Sequence, residues 1–80
     1  MDENNLKNCI VNVSNDVDGF NFICFLIEEL KPFERGFVED VNLQNYLKGK
    51  RDLGLYILEL VQKYNFKKYI HLMEKRSKQL

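Results

Sequence analysis

Eighty residues, 45% of them apolar, with six phenylalanines, four tyrosines and a formal net charge of zero, describe one small domain with material for a single core. That apolar share excludes a disordered chain, and the balanced charge withholds the strongly basic character of most nucleic-acid binders. A domain this short removes only about 60% of its unfolded surface from water, so partners have a natural place in its stability.

The opening Met-Asp-Glu-Asn-Asn is acidic and polar, unlike a secretory or transit leader. The longest apolar run, from Phe22 to Ile27, is far shorter than a membrane span. The expectation is a soluble chain made in a cytosol. Cys9 and Cys24 lie in apolar stretches without secretory context and read as buried free thiols. Two distant cysteines and a lone His71 do not make a four-ligand metal site, so no metal or cofactor is expected.

The zero net charge hides a polarity. Residues 1–40 carry nine acids against three bases, a net of −6, and residues 41–80 carry the reverse, +6. Either the two halves pack together and complement each other, or the polarity orients an encounter with a partner.

Taken in chain order, Leu6, Cys9, Ile10 and Val13 have helical spacing, so a helix over about 4–13 fits. The Val-Asn-Val ending leaves a strand open there. Asp16 then reads as an N-cap, with Asp18 in the first turn of a helix over 17–31. Phe22, Cys24, Phe25, Leu26, Ile27 and Leu30 make that helix apolar around most of its circumference, which predicts the central element. Pro32 ends it. Phe33, Phe37 and Val38 are expected to anchor the connector to the core.

Asp40 or Asn42 then caps a long helix over about 43–64. One stripe on it runs Leu43, Leu47, Lys50, Gly54, Ile57, Val61 and Tyr64. A second runs Tyr46, Gly49, Leu53, Tyr56 and Leu60, which predicts cover from more than one side. Asn65 reads as the N-cap of a last helix over 66–77, with Phe66, Tyr69, Ile70 and Met73 facing inward and a fraying tail at about 77–80. The expected fold is therefore all-α, a single domain over 1–80 built as a bundle of three to four helices.

The stretch Gly49-Lys50-Arg51-Asp52-Leu53-Gly54-Leu55 interrupts the long helix with two glycines, each costing roughly 1 kcal/mol against alanine. Close approach of neighbouring helices is the economical reason for Gly49 and Gly54, a kink being the other. No strand precedes Gly49, so a phosphate-cradling loop is not indicated. Arg51 suits a lock onto the acidic half, with Glu28, Glu29, Glu34 and Asp40 as candidate carboxylates. A simple exposed charged face is the alternative.

These residues carry a resemblance. The order of Gly19, Leu26-Ile27, Phe33, Phe37, the Gly49–Leu55 element and Tyr69-Leu72-Met73 resembles a family of small bacteriophage proteins encoded among the structural and morphogenesis genes of tailed phages. The likeness spans about residues 16–76. It implies a phage origin and a non-enzymatic role in or near the virion, without supplying a mechanism.

Catalysis finds little support in the residues. His71 lies between Ile70 and Leu72 among lysines, and Glu28 and Glu29, as helix neighbours, point about 100° apart. The expectation is a protein–protein module, docking onto other phage structural proteins or onto itself, with Tyr46, Tyr56, Tyr64 or Phe33 as anchors. A host-directed regulator is an alternative. Another is nucleic-acid contact through Lys67, His71, Lys75 and Lys78, flanked by Lys68 and Arg76, on one face of the last helix.

Overall fold

Three aspartates set where the first three helices begin. Asp2, Asp16 and Asp40 stand in extended geometry one residue ahead of α1 (Glu3–Asn15), α2 (Val17–Leu30) and α3 (Val41–Tyr64). Each carboxylate accepts from the backbone N–H three residues on: Asn5 at 2.8 Å, Gly19 at 2.8 Å and Leu43 at 3.1 Å. Each such cap satisfies an otherwise orphaned donor and contributes about 1 kcal/mol. After α3 a single residue, Asn65, leads into α4 (Phe66–Ser77). The computed structural model describes residues 1–34 and 38–77, all helix, turn or irregular chain, and the fold is a small all-α domain of four helices. The alternative of a strand in the first segment falls away. The expected anchor Phe37 and the fraying tail from Lys78 onward lie outside the described residues.

Between α1 and α2 the chain turns through 98° with only Asp16 as a hinge. Gly19 makes that corner possible, since a Cβ there would overlap the Val13 carbonyl oxygen. At the far end of α2, Lys31 adopts the left-handed conformation (φ 49°, ψ 57°) and its N–H bonds the Ile27 carbonyl at 3.0 Å. Pro32 follows and stops the helix, as its sequence position predicts.

The hub of the bundle is α3, not α2. α3 packs against α1, α2 and α4 alike, while Phe22 and Phe25 on α2 stand in solvent, stacked on each other at 6.4 Å. An apolar circumference is thus only partly used, because three neighbours on α3 cannot also surround α2. Ile23 and Ile27 of α2, Leu58 and Val61 of α3 and Leu72 of α4 form the buried core, with Ile10, Phe20, Cys24, Ile57, Tyr69 and Met73 packed around it.

Three placements differ from expectation. Cys9 is exposed on α1, whereas Cys24 is half-buried; both are free thiols. On α4, Tyr69 and Met73 do turn inward, but Phe66 and Ile70 remain exposed and Leu72 takes the buried position. The reason is that α4 meets α2 through Phe20 as well as α3, which rotates its buried arc toward Tyr69, Leu72 and Arg76. Asn65 closes α3 as its C-cap, its N–H bonding the Val61 carbonyl at 2.8 Å. Its side chain reaches away to α1 instead of capping α4.

Candidate functional site

The two glycines of the α3 interruption play opposite parts. A Cβ at Gly54 would sit 3.1 Å from the Cβ atoms of both Leu30 and Pro32, so α3 passes close under the end of α2 there. At Gly49 nothing lies within 4 Å of such a Cβ. The close-approach reading therefore holds for Gly54 and is overturned for Gly49, which faces open space.

Arg51 does join α3 to the connector, though not through a carboxylate. Its guanidinium Nη1 donates to the main-chain carbonyl of Glu34 at 3.2 Å. The acidic side chain of Glu34 turns instead to Lys31, 3.7 Å away, in an exposed pair. The lock is thus a backbone hydrogen bond, a weaker and less salt-sensitive tie than a bidentate ion pair.

Of the residues expected to form a basic face, several are engaged with α2. Lys68 and Lys75 lie over the Phe20 ring at 5.3 and 6.0 Å, and His71 packs beside the same ring with centroids 5.6 Å apart. Lys67 is exposed, and Lys78 lies outside the described residues. Arg76 stacks over Phe33 at 4.1 Å, which anchors the connector as expected even though Phe33 keeps an exposed edge.

Beside that stack is a cleft of about 260 Å³ lined by Cys24, Ile27, Phe33, Leu72, Lys75 and Arg76 among others. Burial pushes the Cys24 thiol above its usual range, so it stays protonated and is a poor nucleophile. No group of three or more histidine, cysteine or acidic side chains converges to hold a metal among the described residues. No single described helix is long and apolar enough to cross a membrane.

A polar cluster where α1 meets the end of α3 has no signature in the sequence. Glu3 accepts from Lys63 Nζ at 3.2 Å and from the Tyr64 hydroxyl at 3.1 Å. The Lys63 hydrogen bond, then the Tyr64 one, hold the Glu3 carboxyl below its usual range, and Glu3 in turn raises Lys63. Partners 60 and 61 residues apart leave no local pattern to detect.

The second stripe of α3 is the most prominent surface feature. Tyr46, Gly49, Leu53 and Tyr56 face solvent and Leu60 is half-buried, with Val41 and Leu43 also exposed at the same helix's start. Among the described residues the expected second layer does not cover this stripe over Tyr46–Tyr56, and the polar ties of α1 fall at the end of α3, on Lys63, Tyr64 and Asn65. Such a face has the composition of a docking surface: two tyrosines and two leucines in helical register, with charge only on the flanks.

No protein-family model, curated protein or solved structure matches this chain.

Proposed function

We propose that this protein is a non-enzymatic helical module that works by docking onto protein, in the setting of a bacteriophage particle or its assembly. The observation that carries the docking part is the uncovered Tyr46–Leu60 stripe on α3. An 80-residue chain whose core, among the described residues, consists of five buried apolar side chains gains stability when such a face is covered. The phage setting rests on the resemblance around Gly49–Leu55 and Tyr69–Met73. Engagement of Lys68, His71 and Lys75 with Phe20 weighs against a phosphate-binding role for α4, since those side chains already serve packing.

Quantitative mass spectrometry of purified particles tests the setting. A fixed copy number per particle is expected for a virion component. Abundance in infected cells with none in particles would move the role to assembly or to a host-directed regulator. Salt-sensitive retention on DNA would revive the nucleic-acid alternative.

A further inference from the structure

We infer that the occupant of the α3 stripe is a second copy of this chain, packed α3 against α3, antiparallel, about a two-fold axis. The inference rests on the docking reading above and names the partner.

Area is the first argument. The chain exposes 6115 Å², where a folded monomer of 9.6 kDa is expected to expose about 5,100 Å². Its radius of gyration is 13.9 Å and its shortest extent only 18 Å, against an expected radius of about 11.6 Å for this length. The molecule is a slab with about 1,000 Å² more surface than its size requires. One partner in a standard interface covers about 800 Å², so a single face-to-face pairing would restore an ordinary surface.

Shape is the second. Tyr46, Gly49, Leu53, Tyr56 and Leu60 recur at alternating intervals of three and four, the a/d spacing of two helices that pack along their length. Tyr46, Leu53 and Tyr56 are 64%, 51% and 53% exposed, so each presents a full knob. In an antiparallel pair a positions face d positions: Leu53 meets Tyr56 of the second copy, and the exposed side of half-buried Leu60 turns to the open space over its Gly49. A parallel pair would set Gly49 against Gly49 and leave a void between bulkier layers, which close packing disfavours. From Gly49 to Leu60 the stripe is thus complementary to its own reverse, as a two-fold interface must be.

Charge is the third. The stripe from Tyr46 to Leu60 carries no ionised residue at its five positions, and Asp52 and Glu59 on the flank are exposed and remain at a wet rim. With zero net charge, two copies meet no long-range repulsion. Phe22 with Phe25 and Phe66 with Ile70, exposed elsewhere on the surface, are pairs and not extended stripes.

Sedimentation equilibrium over a range of concentrations tests this. The full chain is expected to reach twice its 9.6 kDa mass. Leu53→Glu, at a site that faces solvent in the single chain, should keep its helical circular dichroism while self-association weakens by about 100-fold or more, because the loss occurs twice per pair. Gly49→Gln meets open space within the chain and carries the same test should Leu53→Glu fold poorly. Phe22→Glu should leave association unchanged. A wild-type chain that stays at 9.6 kDa at every concentration would overturn self-pairing while leaving docking onto another protein to the particle experiment. A pair that survives Leu53→Glu and Gly49→Gln but dissociates with Phe22→Glu would overturn the α3 interface and place it on α2.

Discussion

The Asn65 side-chain amide donates to the Ser14 hydroxyl at 2.7 Å and to the Asn15 side-chain oxygen at 3.1 Å, tying the α3–α4 junction to the last turn of α1. Ser14 is wholly buried, and its own hydroxyl proton goes to the Ile10 and Val11 carbonyls. One polar residue in a one-residue junction thereby fixes how three helices meet. Asn65→Ala should lower stability by about 2 kcal/mol, since it strips the partner from a buried hydroxyl and removes both cross-helix bonds. Ser14→Ala should cost about 1 kcal/mol, and the double variant less than both together. Urea denaturation of the four proteins reads this; strict additivity would show that the two side chains do not act as a pair.

The glycines should rank by what surrounds them. Gly19→Ala forces the α1–α2 corner apart at the Val13 carbonyl and should cost about 3 kcal/mol, the upper end for overpacking. Gly54→Leu drives a side chain into Leu30 and Pro32 and should cost about 2 kcal/mol. Gly49→Ala has open space and gains helix propensity, so stability should rise by about 1 kcal/mol. Thermal midpoints would separate them, each 1 kcal/mol being worth about 4–8 °C in a domain of this size. A destabilised Gly49→Ala would contradict the open setting of that residue.

Acid should loosen the contact between α1 and α3. The lowered Glu3 carboxyl contributes stability that is present above its ordinary value of 4.5 and lost as pH falls through the lowered one. The raised Lys63 ammonium contributes below its ordinary 10.5, and that part is lost as pH rises through the raised value. Between those limits the contact is intact. Glu3→Gln should therefore melt slightly below wild type at neutral pH and converge with it in acid, an effect kept small by solvent exposure and reduced by salt. An equal gap at every pH would remove Glu3 as the titrating group.

Arg51→Met should cost no more than about 1 kcal/mol, the worth of one hydrogen bond to a neutral carbonyl. Because the acceptor is the Glu34 main chain, that cost should be the same at low and high salt. A loss that shrinks as salt is added would instead point to a carboxylate partner.

Much of this fold was legible in the chain because its signals are local. Asp16 and Asp40 announce helix starts through an oxygen that reaches three residues on, and Pro32 announces a stop through a missing N–H. The spacing of Ile57, Val61 and Tyr64 marked one face of α3 correctly. What depends on contacts far along the chain was not legible. The periodicity that made α2 look central could not tell which helix would gather three neighbours, and the equal appearance of Gly49 and Gly54 concealed one crowded and one open environment.

The sequence by itself determined an all-α bundle of three to four helices, the limits of the last three to within about two residues, and an amphipathic pattern, since backbone capping and side-chain period act within a few residues. Only the tertiary structure decided that Arg51 seeks a carbonyl, that Asn65 reaches back to Ser14, and that the Tyr46–Leu60 stripe stays uncovered. The last two follow from the 98° corner at Asp16 and Gly19, which sends α1 to the end of α3 and leaves much of the helix's outer face to solvent. A period can say that a face is apolar. Which surface comes to lie on it is settled by the path of the whole chain.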